Sequence, residues 1–575
     1  MLKKLASCVG EYKKASFLAP LFVTMEVVLE VLIPWLMSYI IDRGIEKRDI
    51  KTVLYISVIL VLLVGLSMFC GAMSGRYAAI ASGGFAKNLR KKMFHSVQDF
   101  SFTNIDNFST SGLVTRLTTD VSNLQNAYQM IIRIAVRCPA MLIFSLSMAF
   151  LVDPRIAFIF LAMVPILGGG LIFIATKAHP IFEKVFKTYD HLNRVIQENL
   201  RGIRVVKAFV REDFEEKKFK AVSGEIYDKF SRAERILSFN APLMQTSMYI
   251  CMLLIAWFGS KMILSKTLTQ GELVSLITYA NQILMSLMNF SMIFVMVIIS
   301  KASAERITEV LSERVDLFDG DKNLALVKDG SIEFKDVSFS YFKNSDNFCL
   351  KNVNFTINPG ETIGIIGGTG SSKTTLVQLI PRLYDVSKGS VLVGGEDVRD
   401  YNIKALRDSV AMVLQKNELF SGTIRENLCW GNENATDEEI IHVSKLAQAD
   451  EFINSFPDKY DTHIEQSGKN VSGGQKQRLC IARALLKKPK ILILDDSTSA
   501  VDTRTDSLIR EAFSKELPST TKIIIAQRIS SIQHADRILV MDNGEILAFD
   551  THENLLEANQ IYREIYESQQ REVAE

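Results

Sequence analysis

The sequence predicts a protein of two different parts, an all-α membrane domain of six spans followed by an α/β domain. Six apolar runs occur before residue 301, and each is long enough to cross a bilayer at roughly 20 residues per span. From Gly330 onward, short β-branched runs alternate with helical segments, which indicates a largely parallel sheet with an added β region. A composition of 48% hydrophobic and 23% charged residues fits an apolar part joined to a soluble part.

The charge balance argues against a nucleic-acid partner. The chain has 66 Lys and Arg against 64 Asp and Glu, a net charge of +2, whereas nucleic-acid binders carry a clear basic excess. The seven cysteines are scattered and form no Cys-x-x-Cys pair or Cys/His cluster. Neither a disulfide framework nor a zinc site is therefore predicted.

The apolar runs also predict how the chain lies in the membrane. They cover 16–41, 53–81, 127–151, 156–176, 236–264 and 273–300. An even number of spans places both termini on one side, and the basic connections 83–126 and 177–235 lie on that same side. We therefore expect a multi-pass protein of the cytoplasmic (inner) membrane, in contact with the lipid bilayer, with both termini and the α/β domain in the cytoplasm.

The two long connections keep helical periodicity and contain few Gly or Pro, which predicts membrane helices that continue past the bilayer. Each contains a short stretch with an apolar face, at 112–125 and 206–219, of the kind that docks on another domain; a solvated helical loop is the alternative. The predicted organisation is a transmembrane domain over 1–310, a linker over 311–329 and an α/β domain over 330–575.

A phosphate-binding motif follows the strand at 362–366. Its glycines let backbone N–H groups point at phosphate oxygens, the next helix presents its positive end, Lys373 reaches the β/γ-phosphates and the Thr374 hydroxyl ligates Mg²⁺. The pattern departs at Ser372, because glycine is expected directly before the lysine. The nucleotide-binding residues predicted in this loop are Gly367, Thr369, Gly370, Ser371, Ser372, Lys373, Thr374 and Thr375.

Two later motifs support the same chemistry. A buried strand in KILILDD ends at Asp495, which fits a Mg²⁺ ligand beside a P-loop. The stretch VSGGQKQR at 471–478 opens a helix whose first N–H groups suit a γ-phosphate. The residues predicted to contact ATP there are Ser472, Gly473, Gly474 and Gln475.

With these motifs in this order, the chain resembles an ATP-binding cassette (ABC) exporter half-transporter over nearly its full length. The resemblance implies ATP and Mg²⁺ as cofactors, adenine stacking on Tyr341, a catalytic and metal-facing Q-loop residue at Gln415, and a D-loop over 499–502. It also implies coupling helices within 109–124 and near 211–214. Because two nucleotide domains of this family close head to tail, a second half-transporter is expected as a partner.

Three positions depart from the family pattern on the site built on this chain's own P-loop. Besides Ser372, Asp496 replaces the Glu that polarises the attacking water, and its carboxylate is one methylene short. Gln527 replaces the switch His and cannot gain its positive charge. Because the family's signature motif, VSGGQKQR at 471–478, is intact, the chain resembles the degenerate-site subunit of a bacterial heterodimeric multidrug exporter. A homodimer in which Asp496 and Gln527 suffice, and a regulatory ATP-binding membrane subunit, are the alternatives.

The membrane spans contain two kinds of candidate substrate residue. Glu26 and Glu30 lie one helical turn apart, as do Arg133 and Arg137, so the glutamates either bind cationic cargo or pair with the arginines. The sixth span is rich in Met and Phe, including Met285, Met288 and Met292, and such side chains suit amphipathic, drug-like molecules as well as ordinary helix packing. The predicted function is ATP-driven export of such molecules, with lipids or peptides as alternative cargo.

Overall fold

The computed structural model describes residues 1–320, 322–342, 347–496 and 501–574, and they form two compact units. The helical unit comprises Met1–Gln98 and Phe108–Glu313, and the α/β unit comprises Asp99–Asn107 and Arg314–Glu575. The short stretch Asp99–Asn107 is thus part of the α/β unit, although the chain on both sides of it belongs to the helical unit.

The helical unit consists of long helices and a few short ones, joined by short turns. They are α1 (Leu2–Ser7), α2 (Lys13–Tyr39), α3 (Ile50–Asp99), α5 (Thr110–Thr115), α6 (Val121–Val152), α7 (Pro154–Arg201), α8 (Ile203–Ala208), α9 (Glu212–Leu237), α10 (Asn240–Leu264) and α11 (Gln270–Ser312); α4 (Phe102–Asn107) belongs to the other unit. Helix α11 begins with a capping box, in which the Thr269 hydroxyl accepts from Glu272 N–H and the Glu272 carboxylate accepts from Thr269 N–H.

Among the described residues, six helical segments of this unit are long and apolar enough to cross a membrane, which confirms the predicted all-α, six-span fold class. Helix α3 has 50 residues and α7 has 48, so at 1.5 Å per residue each extends over about 70 Å, more than twice the hydrocarbon thickness. The polar ends of α3 and α7 form the first part of each long basic connection, and shorter helices and the starts of the next long helices form the rest.

The core of the helical unit lies among α2, α6, α7, α10 and α11. Its largest fully buried side chain is Tyr279, whose hydroxyl donates to the Val31 carbonyl at 2.9 Å and so keeps no unpaired polar group. Large apolar side chains such as Leu62 and Met68 of α3 are 68% and 77% exposed. Exposed apolar surface of this kind is what a bilayer covers.

The α/β unit contains two main sheets. The strands are β1 (Ile332–Phe339), β2 (Leu350–Ile357), β3 (Thr362–Gly367), β4 (Lys388–Val393), β5 (Glu396–Asp397), β6 (Val410–Val413), β7 (Gly422–Thr423), β8 (His463–Ile464), β9 (Ile491–Asp495), β10 (Thr521–Ile525), β11 (Arg537–Asp542) and β12 (Glu545–Asp550). An antiparallel sheet has the order β2-β1-β4-β5, and a six-stranded sheet has the order β12-β11-β3-β10-β9-β6. In the six-stranded sheet β11, β3, β10, β9 and β6 run parallel, as predicted for the α/β part.

The parallel strands of the six-stranded sheet are covered on both faces, by helices on one face and by the antiparallel sheet with the helix Lys373–Gln378 on the other, and they are therefore apolar on both faces. Besides α4, the helices of this unit are α12 (Lys373–Gln378), α13 (Ile403–Ser409), α14 (Ile424–Cys429), α15 (Asp437–Leu446), α16 (Asp450–Ser455), α17 (Gly473–Leu486), α18 (Thr503–Glu516), α19 (His552–Ala558) and α20 (Gln560–Ala574). Strand β9 is buried at each of its five positions, from Ile491 to Asp495.

The first coupling helix stays a prediction within 109–124. Helix α4 precedes that range and is part of the α/β unit, where Asn104 Nδ2 donates to the Arg314 carbonyl at 3.0 Å. The range 109–124 belongs to the helical unit, in which the Asp120 carboxylate pairs with Arg306. The second expected position, 211–214, includes the start of α9.

Candidate nucleotide site

Four neighbouring parallel strands place the predicted catalytic residues at one edge of the sheet. The P-loop follows β3, Asp495 ends β9, Gln527 comes shortly after β10 and Gln415 shortly after β6. Because the carboxyl ends of parallel strands meet at the same edge, residues far apart in sequence come together there.

The P-loop curls closely around its own lysine. Lys373 Nζ donates to the Gly367 and Gly368 carbonyls, both at 2.8 Å, and to Ser371 Oγ at 3.2 Å. At Gly367 a Cβ would stand 2.1 Å from the Met541 carbonyl oxygen, so this close turn accepts only glycine. Burial lowers the pKa of Lys373, and the nearby Asp495 and Asp496 carboxylates oppose that shift.

Ser372 has a left-handed backbone conformation. Its φ is +69° and ψ +24° at the N-cap of α12, and its side chain makes no capping hydrogen bond. This conformation costs an L-residue roughly 1 to 2 kcal/mol and costs glycine almost nothing. The substitution seen in the sequence thus falls at a position whose geometry explains why the motif normally has glycine.

Asp495 and Thr374 place two oxygen donors of the kind that Mg²⁺ prefers next to each other. Asp495 is 2% exposed, and its Oδ2 is buried without a hydrogen-bond partner among the described residues. Burial raises the pKa of the Asp495 carboxyl, while a hydrogen bond from Thr374 and the charge of Lys373 oppose the rise. An unpartnered buried carboxylate oxygen beside a hydroxyl fits a hard divalent cation. Asp495 and Thr374 would therefore hold the metal.

Asp496 is hydrogen-bonded to both of the other predicted catalytic residues. Gln527 Nε2 donates to Asp496 Oδ2 at 2.7 Å, and Gln415 Nε2 donates to the same oxygen at 3.3 Å. Asp496 itself has a left-handed φ of +48°. One carboxylate oxygen thus accepts both amides, an interaction that the sequence did not reveal.

Tyr341 lies beside a cavity of about 630 Å³. Its hydroxyl hydrogen-bonds to Thr375 Oγ1 at 2.9 Å, which joins the aromatic residue after β1 to the helix that follows the P-loop. The Tyr384 ring packs edge-on against Tyr341 at 5.2 Å between centroids, and Thr103 of α4 lines the same cavity. Sequence reasoning predicted Tyr341 but missed Tyr384, although an aromatic residue 11 positions after the P-loop lysine was a visible signal.

The signature residues form the start of α17. Ser472 is the N-cap: its Oγ accepts from Gln475 N–H at 3.3 Å, and Gln475 Oε1 accepts from Ser472 N–H at 2.9 Å. Gly473 and Gly474 begin the helix. Among the described residues, no hydrogen bond or ion pair joins this signature to the P-loop, whose residues are bound to each other. Ser499 of the expected D-loop lies outside the described residues.

The predicted substrate residues lie in the helical unit. Arg137 pairs with both glutamates, with Glu26 and, at 2.6 Å, with Glu30. Met285 and Met288 of α11 are 52% and 42% exposed, and the Met292 side chain lies outside the described residues.

Comparison with known proteins agrees with this geometry. The model of the ABC transporter transmembrane region matches residues 16–287, and that of the ABC transporter domain matches 350–499. A Bacillus subtilis (strain 168) protein, YfiB, named as an uncharacterized ABC transporter ATP-binding protein, is 38% identical over 99% of this chain and 98% of its own. This chain belongs to the ABC transporter family. It is an exporter-type half-transporter, with the membrane domain fused to the ATPase domain.

Other ABC transporters extend the comparison. YgaD of Bacillus subtilis (strain 168), named as a candidate multidrug export ATP-binding/permease protein, is 30% identical over 98% of this chain and 99% of its own. The solved structure of a bacterial Atm1-family ABC exporter with ATP bound has the same fold, with a TM-score of 0.82 over 97% of this chain and 98% of that chain at 24% identity. In this ABC transporter, Lys373 would hold the phosphates, and Thr374 and Asp495 would hold Mg²⁺, which would neutralise phosphate charge.

Proposed function

We propose that this chain is one half of a heterodimeric exporter of the cytoplasmic membrane, in which its own ATP site hydrolyses slowly and its signature completes a competent site on a partner chain. Residues 330–575 are the nucleotide-binding domain, on the cytoplasmic side with both termini. The cargo is amphipathic or drug-like, which the apolar side chains of Met285 and Met288 and the name of the relative YgaD support.

The observation that carries the proposal is the hydrogen bonding of Asp496. A general base must face the water it activates, but Asp496 Oδ2 already accepts from Gln527 and Gln415. The side chain is also one methylene shorter than Glu, and neutral Gln527 adds no positive charge at the γ-phosphate position. These features do not affect Lys373, Thr374 and Asp495, which bind ATP and Mg²⁺. The site therefore binds nucleotide but hydrolyses it slowly.

The Asp496→Glu and Gln527→His double substitution tests this assignment. We expect it to raise hydrolysis at this chain's site by at least tenfold. Glu has one methylene more than Asp, and the change at Gln527 removes one of the two amides that donate to the carboxylate. The measurement is ATPase activity of the lipid-reconstituted complex, in which the partner's own catalytic carboxylate, at the position that corresponds to Asp496, has been neutralised. The matched control, Asp496→Asn with Gln527→His, introduces the same histidine without a base and should give no rise; an equal rise in both variants contradicts the proposal.

A homodimer is the second candidate, and the same preparation decides between them. We expect the chain alone in lipid to hydrolyse ATP slowly and the chain with its partner to hydrolyse it rapidly. Rapid hydrolysis by the chain alone, with a mass equal to twice its own, would instead show that Asp496 and Gln527 suffice.

A further inference from the structure

Four charged side chains form two matched ladders on α2 and α6. Glu26 and Glu30 are one turn apart on α2, and Arg133 and Arg137 are one turn apart on α6. The first and third spans cross the membrane in the same direction, so the two ladders are parallel. Their spacing allows two one-to-one pairs, Glu26 with Arg133 and Glu30 with Arg137.

The structure has a different pairing. Arg137 binds both carboxylates, Glu26 through Oε1 and Glu30 through Oε2. Arg133 is half-buried and has no hydrogen bond or ion pair with any described residue. Glu26 Oε2 is buried and likewise has no partner among the described residues. A cation and a carboxylate oxygen are thus both left unpaired within the membrane, where unpaired charge is costly.

Helix α3 leaves room for Glu26 to change partner. A Cβ at Gly71 would stand 3.0 Å from the Glu26 carboxylate, and a Cβ at Gly75 would stand 3.7 Å from Arg133 Nη1. The two glycines are one turn apart, so the Glu26 carboxylate and the Arg133 guanidinium lie against the same helix face about 6 Å from each other along its axis. Because positions 71 and 75 are glycines, neither places a side chain between the Glu26 carboxylate and the Arg133 guanidinium.

We propose that Glu26 exchanges between Arg137 and Arg133 as the exporter alternates between its conformations. In the second arrangement each carboxylate has its own guanidinium, and Glu26 Oε2 gains the partner that it lacks here. A shift of about one helical turn between packed helices is a known form of two-state transition. Arg133 is then a positioning residue for α2, acting through Glu26.

A double-mutant cycle tests the exchange. The variants are Glu26→Gln, Arg133→Gln and both together, in the complex reconstituted in proteoliposomes, with transport of a fluorescent amphiphile and binding of a fluorescent ATP analogue as readouts. We expect each single change to slow transport about tenfold and the double change to slow it no further, with ATP binding within twofold throughout. Arg133→Lys, which retains the charge, should recover most of the rate.

The matched control is Arg76→Gln, which removes an exposed arginine next to Gly75 and should leave transport within twofold of wild type. A double variant slowed about a hundredfold would mean that Glu26 and Arg133 act independently, and an Arg133→Gln variant with the wild-type rate would also overturn the proposal.

Cryo-electron microscopy of the complex with and without trapped ATP provides a readout that requires no transport. Glu26 within 4 Å of Arg133 in one of the two states supports the exchange, and Glu26 bound only to Arg137 in both overturns it.

Discussion

In the P-loop, Ser372 is a residue at which sequence and backbone conformation conflict. Its left-handed φ of +69° costs a serine roughly 1 to 2 kcal/mol, partly offset by the greater chain entropy that glycine loses on folding. We expect Ser372→Gly to raise the free energy of unfolding of the α/β unit by up to about 1 kcal/mol, measured by denaturant titration of the full chain in detergent.

The neighbouring serine provides the control for that prediction. Ser371 is 3% exposed, and its Oγ accepts from Lys373 Nζ, so Ser371→Gly should lower the free energy of unfolding by about 1 kcal/mol or more. Equal effects of the two Ser→Gly changes would show that the conformation of Ser372 is not strained.

The residues of the candidate site could be predicted from sequence, but their contacts with each other could not. Lys373, Thr374 and Asp495 belong to motifs whose spacing implies their chemistry. Gln415 and Gln527 are 81 and 31 residues from Asp496, and their shared hydrogen-bond acceptor depends on the strand order of the sheet. Strand order is not visible in a local sequence pattern.

Sequence patterns did not distinguish helix α4 as a separate element, since its six residues are too few to display a helical period. Tyr384 Oη donates to Asp106 Oδ2 at 2.8 Å, and the Phe102 ring lies 6.0 Å from the Tyr384 ring. Burial and the Asp106 carboxylate both raise the pKa of Tyr384, so the phenol stays protonated and keeps this bond at physiological pH.

Tyr384→Phe removes this hydrogen bond and keeps the ring. We expect faster amide hydrogen exchange in α4, corresponding to a loss of about 1 kcal/mol, because the Asp106 carboxylate loses its donor. The control is Tyr460→Phe, since Tyr460 Oη donates to Asp450 Oδ1 at 2.6 Å in the same unit but far from α4 in sequence. Unchanged exchange in α4 on Tyr384→Phe, or an equal rise on Tyr460→Phe, would contradict a local role for this bond.

The longer elements were predictable because their signals are strong and redundant. Six apolar runs of about 20 residues gave six membrane helices, since a bilayer fixes both the length and the composition of a span. The parallel strands were recognisable because both of their faces are covered, as in the five buried positions of β9. A short helix such as α4 has neither constraint.

At the scale of the whole molecule, the chain carries two surfaces that are predicted to contact nucleotide, and they differ in how well they keep the family pattern. The P-loop side includes Ser372, Asp496 and Gln527, whereas the signature side retains Ser472, Gly473, Gly474 and Gln475 in a regular capping box. In a head-to-tail pair these surfaces belong to different ATP sites. The chain should therefore matter to the complex chiefly through its signature.

Two substitutions in this chain alone separate these contributions. Gly474→Asp places a carboxylate where the partner's γ-phosphate is expected, and an acidic residue in the first turn of α17 is compatible with the helix. We expect it to remove more than about 90% of the ATPase activity of the complex, because two like charges meet at a site built for one anion.

Lys373→Ala, which weakens ATP binding at the slow site, should leave more than about half of the activity. The measurement is steady-state hydrolysis by the purified complex at saturating ATP. In a homodimer every site contains both surfaces, so both variants would be inactive, and that result would refute the asymmetric assignment while leaving the P-loop chemistry intact.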